Sequence, residues 1–261
     1  MMKTLLTNFN QKSFKIGMFM KTSDPSFVEI ASLAGFDFVI LDYEHGVVSH
    51  ENMQNLIRAA YLGNTLPIIR VAEINESNIG KALDIGAAGI QVPQVTSKED
   101  AIKIIELSKF HPMGNRGVCR FVRAANYSLM PQKEYYENAN KSAVIIQLEG
   151  KKALENIDEI LGVKGIDVVF IGPYDLSQSL GVPGDIFNDK VVKEMKAIVN
   201  KCKQKNMLVG TFVDTKEGLD FWKGLGVQYI AYSVDVGIFA EKCKEIIGNA
   251  ERQGRDTLEK D

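Results

Sequence analysis

Phe36-Asp-Phe-Val-Ile-Leu41-Asp42-Tyr-Glu-His45-Gly46 decides the fold, because a run apolar on both faces stops abruptly at side chains able to do chemistry. A strand of this kind is buried on both sides, as in a parallel sheet covered by helices. The same ending recurs along the chain. Leu66-Pro-Ile-Ile69 leads to Arg70, Ala143–Ile146 to Gln147 and Glu149, and Val168–Ile171 to Gly172, Pro173 and Asp175. In a parallel barrel the carboxyl ends of the strands form the active face, so a histidine, an arginine and two acids far apart in sequence can converge there.

The rest of the chain supports a barrel. The strand candidates are Phe14–Met20, Phe36–Leu41, Leu66–Val71, Gly89–Val92, Ala143–Leu148, Val168–Ile171, Met207–Phe212 and Gln228–Ala231. Helical patterns alternate with them at Pro25–Ala34, Asn75–Ile85, Ser97–Lys109, Lys151–Leu161, Asp189–Lys205, Lys216–Gly224 and Ile238–Ile247. Asp24 reads as an N-cap of the first helix, with Gly35 just past its end. This alternation predicts an α/β protein with a (β/α)8 TIM-barrel fold, and 261 residues is an ordinary size for one such domain. Residues 1–250 are expected to form that single domain, and 251–261 a charged, frayed C-terminal tail. Between Phe110 and Lys141 the regularity fails, and such an insertion reads as a cover for a site.

Composition excludes several functions. A net charge of −2 offers no general attraction to nucleic acid or to an anionic membrane surface. No apolar run is long enough to span a bilayer. Met1–Lys15 is polar and lacks the apolar core of a secretory leader, so the expected location is cytoplasmic. Cys119, Cys202 and Cys243 are widely spaced and odd in number, which fits reduced thiols.

The strand-end residues carry the chemistry. Glu149 and Asp175 supply the hard oxygen ligands preferred by Mg2+ and similar ions, although Glu149 could equally cap the helix beginning at Lys151 and Asp175 a short turn. Gly172-Pro173-Tyr174-Asp175 brings backbone close to a ligand, where free N–H groups can meet a substrate carboxylate. His45, three residues beyond Asp42, is placed as a proton carrier, since imidazole exchanges protons near neutrality. Arg70 emerges from a buried strand and needs an anion, either a reacting enolate or an internal partner such as Asp42 or Glu149. His50 and His111 lack such placement and read as structural or surface residues.

These segments, together with Ala82-Leu-Asp-Ile-Gly86, Gly89-Ile-Gln-Val-Pro93 and Arg116-Gly117, resemble the HpcH/HpaI aldolase family of metal-dependent class II pyruvate aldolases. The resemblance runs from about Phe14 to Ile247. It implies that Glu149 and Asp175 bind a divalent metal ion, Mg2+ or else Mn2+ or Co2+. It also implies that Gln147 and the backbone around Tyr174 and Asp175 hold pyruvate, that Arg70 stabilises an enolate, and that His45 moves protons. Asp84 matches the family acid that raises the basicity of this histidine, often from a neighbouring subunit, and Asp42 is its rival. The implied reaction cleaves or forms a 4-hydroxy-2-oxoacid from pyruvate, or a pyruvate-like donor, and an aldehyde. Its partners would be those small molecules and copies of the same chain, with the last helix swapped between subunits and a hexamer built as a trimer of dimers. Gly150 and the stretch Arg120–Tyr127 depart from the family pattern. The alternatives are a citryl- or malyl-thioester lyase, and a non-catalytic barrel acting as a binding or assembly protein.

Overall fold

A computed structural model describes residues 14–258 of the chain, and side-chain surroundings as far as residue 250. Residues 1–13, and the last three residues of the expected charged tail, lie outside the described part. Eight strands close into a parallel barrel in sequence order: β1 (Lys15–Met20), β2 (Phe38–Asp42), β3 (Leu66–Arg70), β4 (Gly89–Val92), β5 (Ala143–Leu148), β6 (Val168–Ile171), β7 (Leu208–Val213) and β8 (Tyr229–Val234). The register sets Asp42 beside Arg70 and Arg70 beside Gln91, so three polar residues stand in one row across adjacent strands.

The helices return the chain outside the barrel. They are α1 (Pro25–Leu33), α2 (His50–Leu62), α3 (Glu76–Asp84), α4 (Lys98–Ser108), α5 (Gln132–Ala139), α6 (Lys151–Glu155), α7 (Ile157–Ile160), α8 (Pro173–Ser179), α9 (Asp189–Gln204), α10 (Lys216–Gly224) and α11 (Asp235–Leu258). Their starts follow local chemistry. The Asp24 carboxylate accepts from the Ser26 N–H ahead of α1, with Pro25 at its first position, and Ser97 and Asp100 form a reciprocal capping box at α4. Among the described residues no helix is long and apolar enough to cross a membrane.

Four expectations change. Helix α2 lies in a stretch that the sequence reading leaves without structure; its mean hydropathy is low, yet Met53, Leu56, Ile57 and Ala60 recur at helical spacing and are buried. Asn156 splits the single helix expected at Lys151–Leu161, because its side-chain amide reaches across to the Thr96 carbonyl at 2.9 Å. Helix α11 continues to Leu258, so the residues expected to fray from 251 onward are helical that far. The insertion between α4 and β5 follows a helix and precedes a strand, which puts it on the amino-terminal rim of the barrel. There Phe110, Ala125, Tyr135 and Ala139 pack into a small core of their own, so within one chain the insertion does not cover the active face.

Two apolar layers hold the fold. One lies between sheet and helices, and the other fills the barrel with Phe19, Phe38, Ile40, Ile68, Ile145, Phe170 and Tyr229. Phe38 and Tyr229 stack with ring centroids 3.9 Å apart, and space for them comes from glycines on the neighbouring strands β1 and β7. A Cβ on Gly17 would lie 2.2 Å from the Phe38 ring, and one on Gly210 would lie 2.6 Å from Tyr229. The β8–β1 seam is latched at its carboxyl end. Buried Asp235 accepts from the N–H groups of Lys21 and Thr22 at 3.0 and 2.9 Å and from the Thr22 hydroxyl at 2.6 Å.

Gly17→Ala should therefore overpack the barrel and cost about 1–3 kcal/mol, read as a fall in thermal midpoint. Adding Phe38→Leu should recover part of that loss relative to the sum of the two single changes. Simple additivity would show that the two positions do not compete for the same space.

Candidate active site

Asp42, fully buried at the end of β2, organises the first part of the site. Its carboxylate accepts from Arg70 Nε and Nη2, both at 2.8 Å, and from the backbone N–H groups of Glu44 and His45 at 3.0 and 3.3 Å. Burial opposes its charge, but the guanidinium and the two amides outweigh that cost and hold the carboxyl below the ordinary aspartate range. Burial likewise works against Arg70, while Asp42, Glu44 and Glu149 together keep it firmly protonated. Arg70 Nη1 lies 2.9 Å from Glu44 Oε2, and the guanidinium sits 4.7 Å from the centre of the Phe19 ring. The internal partner considered for Arg70 is thus present. It is Asp42, joined by Glu44, and two of the five guanidinium N–H groups are spent on Asp42.

A chain of amides leads to the second part. Gln91 Nε2 donates to Gln147 Oε1 at 2.8 Å, and Gln147 Nε2 donates in turn to Glu149 Oε2. The other oxygen, Glu149 Oε1, accepts from the backbone N–H of Gln94 at 2.8 Å. Gly172 presses against this carboxylate, since a Cβ there would come within 2.6 Å of Glu149 Oε2. Helix α6 has no side-chain cap, so Glu149 does not serve as the helix cap considered for it, and Asp175 lies in the first turn of α8, which also has no side-chain cap. Burial pushes the Glu149 carboxyl up to about 7; the amide donors oppose the shift, and the negative charges of Asp175 and Glu44 add to it.

Glu149 and Asp175 open onto one cavity of about 320 Å³, lined also by Glu44, His45, Gln94, Val95, Thr96 and Gly150. His45 is exposed there, on the loop whose backbone Asp42 pins. Gly150 leaves open space where a side chain would stand. The Tyr174 phenol turns away to donate to Asp214 Oδ2 at 2.5 Å, so only the backbone of Tyr174 remains available to a ligand at this point. Asp84 is not part of this group. It ends α3 near the opposite rim and pairs with Arg116 Nη2 at 2.6 Å. His50 is a loop partner, with Nδ1 2.8 Å from the Tyr43 hydroxyl.

The donor chemistry suits a hard divalent cation. Among the described residues there is no cage of three or more His, Cys, Asp or Glu side chains. Two carboxylates match hard ions that keep water and substrate in their remaining positions. Crowding of Glu149 with Asp175 and Glu44 is the electrostatic counterpart, because a cation would relieve it. Sequence reasoning did not single out Glu44, Gln91, Gln94, Val95 or Thr96. Gln91 sits in a quoted motif, but nothing in the pattern reveals that its amide orients Gln147.

Known proteins resemble the chain over most of its length. The HpcH/HpaI aldolase/citrate lyase profile matches residues 15–241. A 2-keto-3-deoxy-L-rhamnonate aldolase of Escherichia coli O17:K52:H18 is 31% identical over 92% of each chain. One from Klebsiella pneumoniae subsp. pneumoniae is 32% identical over 87% of this chain and 85% of its own. Among solved structures, an HpcH/HpaI aldolase from Desulfitobacterium hafniense DCB-2 superposes with a TM-score of 0.90 at 25% identity, covering 95% of this chain and 96% of its own. The citrate synthase SbnG superposes with a TM-score of 0.87 at 30% identity, covering 96% and 98%. Matched along nearly the whole barrel by the profile and by relatives at 31% and 32% identity, the chain belongs to the HpcH/HpaI aldolase/citrate lyase family.

Proposed function

We propose that this chain is a divalent-metal-dependent aldehyde-lyase that cleaves a 4-hydroxy-2-oxoacid to pyruvate, or a pyruvate-like donor, and an aldehyde, and runs the reverse addition. The observation that carries the reading is the convergence of Glu149, Asp175 and His45 on one cavity in a chain of this family. The rhamnonate aldolases among its relatives support a 2-keto-3-deoxy sugar acid or a close analogue as the substrate class.

Glu149 and Asp175 would hold the ion, Mg2+ or else Mn2+ or Co2+. Bound there, it supplies Lewis acidity to the keto oxygen of the oxoacid. Gln147 and the backbone of Tyr174 and Asp175 hold the pyruvate end. In cleavage His45 takes the C4 hydroxyl proton, the C3–C4 bond breaks with its electrons passing into the pyruvate enolate, and C4 departs as the aldehyde carbon. Arg70, already fixed by Asp42, would stabilise the enolate oxygen with charge that needs no reorganisation. The enolate then takes a proton at C3 to give pyruvate.

Asp84, tied to Arg116 in its own chain, would act on a His45 only across an interface. Helix α11 presents Val236, Ile238, Phe239, Ile246 and Ile247 as exposed apolar residues, which supports exchange of this helix within dimers and a hexamer built from three of them. Light scattering should show that assembly, and a monomer would remove both the exchange and the role of Asp84.

Glu149→Gln should lower divalent-ion-dependent exchange of the pyruvate C3 protons by more than about 100-fold. Full exchange by rigorously metal-free protein would refute the mechanism.

The pH dependence has a definite sign. Glu149 keeps its proton up to about 7 in the fold, against 4.5 ordinarily. Metal-free protein should therefore lose stability as pH rises from about 4.5 to about 7, by about 3 kcal/mol from this group, and no further above that. Because the ion competes with the same proton, its affinity should fall about tenfold per pH unit below about 7 and level off above. Calorimetry in chelator and titration with Mn2+ measure the two effects; a metal affinity flat between pH 5 and 7 would contradict them.

A further inference from the structure

Building on the aldolase reading, we infer that Tyr43 and His50 are positioning residues: the contact between them closes the loop that carries His45 and so sets where its imidazole stands. Residues 43–49 join β2 to α2, and two of them, Glu44 and His45, line the cavity. Among the described residues, no side chain bonds the imidazole of His45, whose own contact is through its backbone N–H. The ring therefore stands where its backbone puts it, and whatever holds that backbone holds the base.

Asp42 holds the near end of the loop. Its carboxylate binds the N–H groups of Glu44 and His45, and the Tyr43 N–H donates to the Arg70 carbonyl at 2.9 Å. Gly46 lies so close to Asp42 that a Cβ there would stand 2.2 Å from its carbonyl oxygen. Beyond Gly46 packing is thin: Val47 is 92% exposed, and Val48 alone reaches the core. Side chains tie the far end back. The Tyr43 ring packs against the core, its hydroxyl lies 2.8 Å from His50 Nδ1, and the two rings meet edge to face with centroids 5.1 Å apart. Burial raises the Tyr43 phenol above its ordinary range, so it keeps its proton and donates it to the neutral imidazole.

Neither neighbouring element needs this contact. Ser49 already caps α2 by accepting from the Asn52 N–H at 3.2 Å, and the Asn52 side chain donates to the Ser23 carbonyl, which anchors the helix start to the loop after β1. At the first position of a helix the dipole favours an anion, so His50 gains nothing there from the helix itself. Tyr43 follows the last residue of β2 and takes no part in that strand. What the pair does is close a short loop across its base. Such a clip removes the alternative paths its backbone could take, and a catalytic group displaced by about 1 Å can lose on the order of a hundredfold in rate.

Cleavage of 4-hydroxy-2-oxopentanoate with Mg2+, at about pH 8 where imidazole is ordinarily neutral, tests the pair. Tyr43→Phe keeps the ring and deletes the hydroxyl, and His50→Leu deletes the acceptor. Each should lower kcat about tenfold while KM and the affinity for Mn2+ stay within about twofold, because the clip places the base and not the oxoacid or the ion. The double variant should be no slower than the slower single one, since the two residues act as one contact. His50→Asn, whose amide oxygen can stand where Nδ1 does, should recover kcat to within about threefold of wild type. Single variants with wild-type kcat, losses that multiply in the double variant, a matching fall in Mn2+ affinity, or no recovery with asparagine overturn the inference. Wild-type protein separates the two levels. If it neither cleaves this oxoacid nor exchanges the pyruvate C3 protons, the aldolase reading falls and takes this one with it, whereas normal cleavage by wild type and by both single variants removes this inference alone.

Discussion

The buried bidentate pair between Asp42 and Arg70 is the interaction on which the rest of the active face depends. It ties the ends of β2 and β3 together, and the same Asp42 carboxylate pins the backbone of Glu44 and His45. One aspartate therefore fixes both a cation and the loop that brings a base and an acid to the cavity. Removing either partner would strand the other without its counter-charge inside the protein, which is among the most damaging single changes a fold can suffer.

Around that pair, identical chemical groups are driven to opposite states. Asp42 is held ionised by a guanidinium and two amides, whereas Glu149, buried and with Asp175 and Glu44 adding their negative charge, keeps its proton to about 7. Environments that separate the behaviour of neighbouring carboxyl groups are how a single scaffold assigns them different tasks. Here one acid is permanent scaffolding, and the other stays exchangeable between a proton and a metal cation. The amide chain from Gln91 through Gln147 keeps the exchangeable one oriented in either condition.

Much of this was legible in the chain itself. Strands apolar on both faces can only be buried in a covered parallel sheet, and Arg70, Glu149 and Asp175 stand out because charge at the end of such a strand needs a reason. What stayed hidden depends on contacts between distant segments. Helix α2 escapes notice because polar residues dilute its apolar stripe, although Met53, Leu56 and Ile57 occupy the buried face. Gln94 and Glu44 look like ordinary loop residues until the β2 and β4 ends are brought together. The insertion after α4 looks like a lid from its irregularity alone; which rim it occupies follows only from the direction of the neighbouring strand.

The Asp235 latch has a consequence for how the molecule is made. It joins residues 214 positions apart, and the strand it secures, β8, is the last to be synthesised. A chain emerging from the ribosome must carry β1 with one open hydrogen-bonding edge until β8 has been made, a state exposed to mispairing with other strands. A chain truncated before residue 229 would lack β8 and leave a sheet that cannot close, whereas one ending at residue 234 would have every strand and lack only the latch.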